Sequence, residues 1–187
     1  MLRDGGVAIL PTDTIYGFST LLSCESGIRR IAAIKGNGEE RKFLFLASSV
    51  DMVERYIHSW GCTDKPLMAE IWPAPLTAVL PAGRICPIWV GRTIALRVPA
   101  FPMLADVIRQ LGEPIVSTSV NRSGDPPHDD IGTIEAIYGH QVDLVVEGSE
   151  SAEHISSTVV DFTGDVPVLV RQGEYYWDSE EEDFSNT

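Results

Sequence analysis

Basic side chains are scarce in this sequence: 14 Lys plus Arg stand against 27 Asp plus Glu, a net charge of −13 over 187 residues. A protein that coats nucleic acid needs clustered cations to meet phosphates, so this balance argues against direct, stable nucleic-acid binding. It leaves room for an anionic small molecule in a local basic pocket. Cysteine is rare too. Cys24, Cys62 and Cys86 are odd in number and lack metal-ligand spacing, which reads as reduced thiols packed like small hydrophobes. His58, His128, His140 and His154 share no ligand spacing either and read as surface residues, so no metal held by protein ligands alone is expected. Long apolar runs are missing. Val7-Ala8-Ile9-Leu10 is far too short to span a bilayer, and no signal-peptide pattern precedes it, so a cytoplasmic protein with no membrane attachment is expected. No serine sits in a nucleophile elbow. There is no internal repeat and no linker.

What is present suits one domain with a substantial core: 44% hydrophobic residues, with 12 prolines and 16 glycines for turns. Val7 to Leu10 reads as a buried strand ended by Pro11. Ser26 is placed to cap a helix carrying the stripe Ile28, Ile31 and Ile34, with Gly36 as its stop and Lys35 at its last turn. Phe43 to Ala47 reads as a second buried strand. Ser48 or Ser49, then Thr63 or Asp64, are N-caps for two further helices. Trp72-Pro73-Ala74-Pro75 cannot be regular helix and reads as a rigid turn before strand Thr77 to Leu80. Thr93 to Val98 alternates cleanly with period two, placing Thr93 and Arg97 on one face. Met103 to Leu111 is an amphipathic helix stopped by Gly112. Thr133 to Tyr138 is helical; Val142 to Val146, Thr158 to Asp161 and Val168 to Val170 are strands. Asp178 to Asp183 is a charge run, so residues 1–177 are expected to form the domain and 178–187 a solvated acidic tail.

The densest polar stretch follows the apolar run Pro114-Ile115-Val116. It is Ser117-Thr118-Ser119-Val120-Asn121-Arg122-Ser123-Gly124. A strand there delivers hydroxyls and a carboxamide to its own C-terminal end, the end at which ligands bind in open α/β sheets. Period two puts Ser117, Ser119 and Asn121 on one side if the strand runs that far. A Ser/Thr/Asn turn merely ending a strand is the plain alternative. Arg97, on an otherwise apolar strand, needs an anion: a structural salt bridge and a bound ligand both satisfy that.

Together with Pro11-Thr12-Asp13-Thr14-Ile15-Tyr16-Gly17, Lys35, Arg41, Trp72 to Thr77, Arg97-Val98-Pro99, Ser157 to Asp161 and Arg171 with Gly173, this stretch resembles the threonylcarbamoyl-AMP synthase family, the YrdC-like domain. The likeness runs from about Val7 to Gly173. It implies an α/β fold, one YrdC-like domain with a twisted mixed parallel and antiparallel sheet flanked by helices around a deep cavity. It implies that Thr14, Arg97, Ser119 and Ser157 contact threonine, with Arg97 on the carboxylate. Lys35, Asn37, Arg41, Thr93, Asn121 and Arg171 would contact ATP, with Lys35 and Arg41 the catalytic cations. The sequence departs from the family at four places: Asn37 replaces an arginine, Leu46 stands where some members have histidine, Ala74 replaces a glycine, and Asp129 lies near a usual Ser or Thr.

The activity implied is a nucleotidyltransferase that joins L-threonine, bicarbonate and ATP into threonylcarbamoyl-adenylate and pyrophosphate. Mg²⁺ would come with the ATP. The product would pass to a tRNA threonylcarbamoyl transferase complex for tRNA modification. Two other readings stand beside it: a non-catalytic nucleotide- or RNA-binding module of the same fold, and carbamoyl transfer to another acceptor. The last of these is disfavoured, because multidomain relatives carry further domains and one domain is expected in 187 residues.

Overall fold

The computed structural model describes residues 1–36, 43–148 and 155–178. Asn37, Arg41 and most of the acidic tail lie outside the described residues. In chain order come β1 (Ala8–Leu10), β2 (Gly17–Ser19), α1 (Glu25–Ile34), β3 (Leu44–Leu46), α2 (Val50–Tyr56), α3 (Lys65–Ile71), β4 (Leu76–Pro81), β5 (Thr93–Arg97), α4 (Pro102–Leu111), β6 (Ile115–Ser119), α5 (Ile131–Tyr138), β7 (Leu144–Val145), β8 (Thr158–Asp161) and β9 (Val168–Arg171). The strands form one mixed sheet in the order β7-β1-β2-β6-β3-β5-β4-β8-β9. β1 with β7, β3 with β5, and β4 with β8 run parallel; every other neighbour pair is antiparallel.

The helices begin where short polar side chains meet open backbone amides. Ser49 Oγ accepts from Met52 N, Asp64 Oδ1 from Leu67 N and Asp130 Oδ2 from Thr133 N, each satisfying an amide that the first turn leaves unpaired. The cap of α1 differs from the expectation. Cys24, not Ser26, takes the position, its Sγ accepting from Gly27 N at 3.2 Å. Ser26 falls inside the first turn, because the chain enters the helix two residues earlier. At the far end of α4, Gly112 adopts φ +87°, a left-handed C-cap favoured in glycine.

β2 is a strand the sequence did not announce, since Gly17 and two further residues carry too short a pattern to register. Gly17 is needed there: a Cβ on it would sit 2.6 Å from Ser117 Oγ. The missing side chain lets β2 close on β6, with Gly17 opposite Ser119 and Phe18 opposite Thr118. β6 ends at Ser119, so Val120 and Asn121 follow the strand rather than extend it.

Register decides what shares a face, because residues directly opposite one another in a sheet point the same way. Leu44 lies between Ser117 of β6 and Ala95 of β5; Ala95 faces Val79 of β4, and Val79 faces Asp161 of β8. One face therefore carries Ser117, Ser119, Thr93, Arg97, Thr77 and Asp161. The opposite side of the central strands is apolar. Val116, Phe45 and Leu96 stand in register there and are buried, joined by Leu76, Ala78 and Leu80 of β4. Burying side chains of this size contributes about 1.5–3 kcal/mol each and anchors the polar face opposite.

Candidate functional site

Three groups of polar side chains meet on that polar face and at the strand ends beside it. The first closes the end of β6. Lys35, the C-cap of α1, is 1% exposed. Its ammonium donates to Asn121 Oδ1 at 2.6 Å, to the Ser119 carbonyl at 2.5 Å and to the Asn121 carbonyl at 3.1 Å. It also lies 5.8 Å from the centre of the Phe18 ring, within cation–π range. Ser119 Oγ donates to the same Asn121 Oδ1 at 2.7 Å, and Asn121 Nδ2 donates to the Asp125 carbonyl. Ser119 and Asn121 do meet, but not through the period two of a continuous strand. The chain leaves the sheet after Ser119, and the turn brings the two side chains into contact.

The second group is the turn after β1. Thr12 Oγ1 accepts from the amides of Thr14 and Ile15 and donates to the Ile15 carbonyl, a local network that fixes the turn. Thr14 Oγ1 accepts from both Nη1 and Nη2 of Arg97 at 3.2 Å. Arg97 is 1% exposed, and Asp13 Oδ1 lies 3.2 Å from its Nη1. Of the two open readings for Arg97, a structural ion pair is present. Burial pushes the Arg97 pKa down, the Asp13 carboxylate opposes that shift, and the nearby Arg171 charge adds to it. The Glu174 carboxylate opposes the shift as well.

The third group lines a cavity of about 510 Å³, the right size for a small-molecule site. Its walls include Thr77, Thr93, Ser157, Asp161 and Arg171, with Trp89 as an aromatic surface. Ser157 Oγ pairs with Thr77 Oγ1 at 2.9 Å, and Arg171 Nη2 donates to the Ser157 carbonyl at 2.7 Å. Gly173 makes this approach possible: a Cβ there would lie 2.1 Å from the Ser156 carbonyl oxygen. Desolvation lowers the Arg171 pKa although β9 itself is exposed. Arg171 has no ion-pair partner among the described residues. Such a cation, on a wall of hydroxyls, is arranged to receive an anion.

The expected residues are thus distributed. Thr93, Ser157 and Arg171 share the cavity. Thr14 pairs with Arg97. Lys35, Ser119 and Asn121 form a third unit. Asn37 and Arg41 lie outside the described residues. Asp129 is exposed in the loop before α5, and Leu46 is fully buried opposite Arg97 in register. Of the histidines, His128 is half-buried, its ring 5.8 Å from that of Tyr138. Sequence reasoning missed Thr77, Asp13 and Asp161 as site residues. Thr77 reads in sequence only as the start of a strand, yet alternation from Val79 puts it on the polar face. Asp13 stood inside a quoted motif, and its carboxylate between two threonines was the available signal.

No cluster of three or more His, Cys, Asp or Glu side chains is placed to hold a metal among the described residues. Among the described residues Asp161 is the one carboxylate in the cavity lining, and its Oδ1 accepts from both the amide and the hydroxyl of Thr163. Hydroxyls and one carboxylate fit a Mg²⁺ ion that is carried mainly by nucleotide phosphates.

A family profile for Sua5, YciO and YrdC proteins, described as telomere recombination, matches residues 1–173. A threonylcarbamoyl-AMP synthase of Thiobacillus denitrificans is 33% identical over 163 residues, covering 86% of this chain and 86% of the relative. Pyrococcus abyssi Sua5, solved in complex with L-threonine, superposes with a TM-score of 0.85 at 28% identity. The alignment covers 92% of this chain and 52% of that one, so the chain spans about half the length of that relative. E. coli YciO superposes with a TM-score of 0.81 at 29% identity, covering 92% of this chain and 85% of that one.

Proposed function

This chain belongs to the Sua5, YciO and YrdC family, and from that premise we propose that it is an L-threonylcarbamoyladenylate synthase acting in threonylcarbamoyladenosine modification of tRNA. One observation carries the reading. Arg171, without an ion-pair partner among the described residues, stands with Ser157, Thr77 and Thr93 in a cavity on the sheet face that also bears Arg97. Relatives of similar length are named threonylcarbamoyl-AMP synthases, which supports the same activity.

In the proposed reaction the threonine nitrogen attacks the carbon of CO2 drawn from bicarbonate and loses a proton, giving a carbamate. A carbamate oxygen then attacks the α-phosphorus of ATP in line. The bond from that phosphorus to the bridging oxygen breaks, and pyrophosphate leaves. No covalent enzyme intermediate is needed, so the protein contributes position and charge. Arg97 and Thr14 hold the threonine carboxylate, with Ser119 and Ser157 as further threonine contacts. Thr93, Asn121 and Arg171 hold the nucleotide, and Lys35, with Asn37 and Arg41 nearby in sequence, serves the phosphates. Mg²⁺ on those phosphates would neutralise charge, and Asp161 would be the lining carboxylate to help hold it.

The acidic surface suits handing the product to a transferase better than gripping tRNA directly. No helix among the described residues is long and apolar enough to cross a membrane, and we place the reaction in the cytoplasm. The test is pyrophosphate release from ATP. It should require both bicarbonate and L-threonine. Release that ignores threonine would contradict the assignment.

A further inference from the structure

We propose that Asp13 is a positioning residue for Arg97, aligning the buried guanidinium so that it can receive the substrate carboxylate; the inference rests on the functional reading above. The Asp13 carboxylate joins two elements. Its Oδ2 accepts from the Ala100 amide at 2.8 Å, which ties the loop after β5 to the turn after β1. Its Oδ1 faces Arg97 Nη1 at 3.2 Å, with the two side chains 7% and 2% exposed. Arg97 is thereby held on two sides: Asp13 on Nη1, and Thr14 Oγ1 across Nη1 and Nη2.

A guanidinium this deeply buried needs such support for two reasons. Removing an ion from water is costly unless a counter-charge is near. Arginine also has four side-chain torsions, and each that is fixed beforehand lowers the cost of meeting a ligand. Asp13 addresses both. Its charge is the largest influence opposing the desolvation of Arg97, and its second oxygen is anchored to backbone, so the pair cannot swing freely.

The pair is not saturated. Arg97 Nε and Asp13 Oδ1 are buried and have no hydrogen-bond partner among the described residues. The Asp13–Arg97 contact is an ion pair by distance, without hydrogen-bond alignment. Polar atoms left in that condition are costly until a water or a ligand meets them, and a bound carboxylate would meet the guanidinium. An α-amino acid offers a carboxylate for the guanidinium. Asp13 leaves the Nε side of Arg97 uncommitted, so the arriving carboxylate adds to the pair and does not have to displace it.

The test is calorimetric titration of the whole chain with L-threonine and, separately, with ATP. Asp13→Asn should weaken threonine binding by about tenfold or more, because the buried guanidinium loses its counter-charge, and leave ATP binding unchanged. Asp13→Glu, which keeps the charge on a longer stem, should recover part of the loss. Should Asp13→Asn fail to fold, Ala100→Pro at an exposed position removes the amide that holds Oδ2 while keeping the carboxylate; it should weaken threonine and spare ATP. Equal weakening of both ligands would mean a structural role only, and overturns the proposal. Tighter threonine binding would mean that Asp13 competes with the substrate, and overturns it as well. A wild-type chain that binds ATP but not threonine would overturn the functional reading itself, a result distinct from a wild type that binds threonine as Asp13→Asn does.

Discussion

The ammonium of Lys35 and the side-chain oxygen of Asn121 are 2.6 Å apart, across 86 residues of sequence. The contact joins the end of α1 to the turn that follows β6, and Ser123 N donating to the Lys35 carbonyl doubles the link. Any phosphate role for Lys35 is therefore coupled to the placement of Asn121 and Ser119. A substitution at one of the three will be felt by the others.

Lys35→Ala should lower ATP affinity and also destabilise the fold, by about 1–3 kcal/mol, because buried acceptors at Ser119 and Asn121 lose their donor. The two effects separate in a double-mutant cycle. Lys35→Ala and Asn121→Ala should be strongly non-additive for ATP binding, since each removes the same contact. Additive losses would show that they act independently.

Ser119→Ala removes a donor to Asn121 as well as the hydroxyl proposed for threonine. It should weaken both ligands, with threonine the more affected. A loss confined to threonine would mean that Asn121 keeps its place without Ser119.

Arg97→Lys preserves charge but not the guanidinium that spans Thr14 Oγ1 with two nitrogens. Threonine affinity should fall by about ten- to a hundredfold, with ATP affinity changed little. Equal threonine binding by both proteins would return Arg97 to a structural ion pair with Asp13.

Much of this arrangement was legible before the structure. Period two in Thr93 to Arg97 placed both polar residues on one face, and register agrees. Caps at Ser48 or Ser49, at Thr63 or Asp64, and at Gly112 were readable because capping is local chemistry, and the structure selects Ser49 and Asp64. What was not legible depended on long-range approach. Lys35 reads as a helix-terminal charge until α1 is laid beside the end of β6. Ser157 reads as a single hydroxyl until the pairing of β8 with β4 and with β9 sets it against Thr77 and Arg171. Arg97 needed an anion by its own sequence context, but that the anion is Asp13, 84 residues earlier, follows only from the turn after β1 packing on β5.

Arg171→Ala should weaken ATP by about tenfold, the loss of one charged contact, with little change in the unfolding midpoint, since β9 is an exposed edge strand. A large stability loss with unchanged ATP binding would make Arg171 a brace for Ser157 instead.

Ala95 faces the cavity between Thr93 and Arg97 on β5. Ala95→Leu should fill space that the nucleotide needs and reduce ATP binding, leaving the apolar core opposite undisturbed. Unaltered ATP binding would place the nucleotide elsewhere.

The most direct test of the central assignment is the identity of the product. The purified chain is incubated with ATP, Mg²⁺, ¹³C-bicarbonate and L-threonine, and the adenylate fraction is examined by mass spectrometry. The account predicts one adenylate that carries the labelled carbon and the threonine together, formed with pyrophosphate. AMP or ADP without a threonine-bearing adenylate, under conditions in which a relative of established activity forms one, would contradict it.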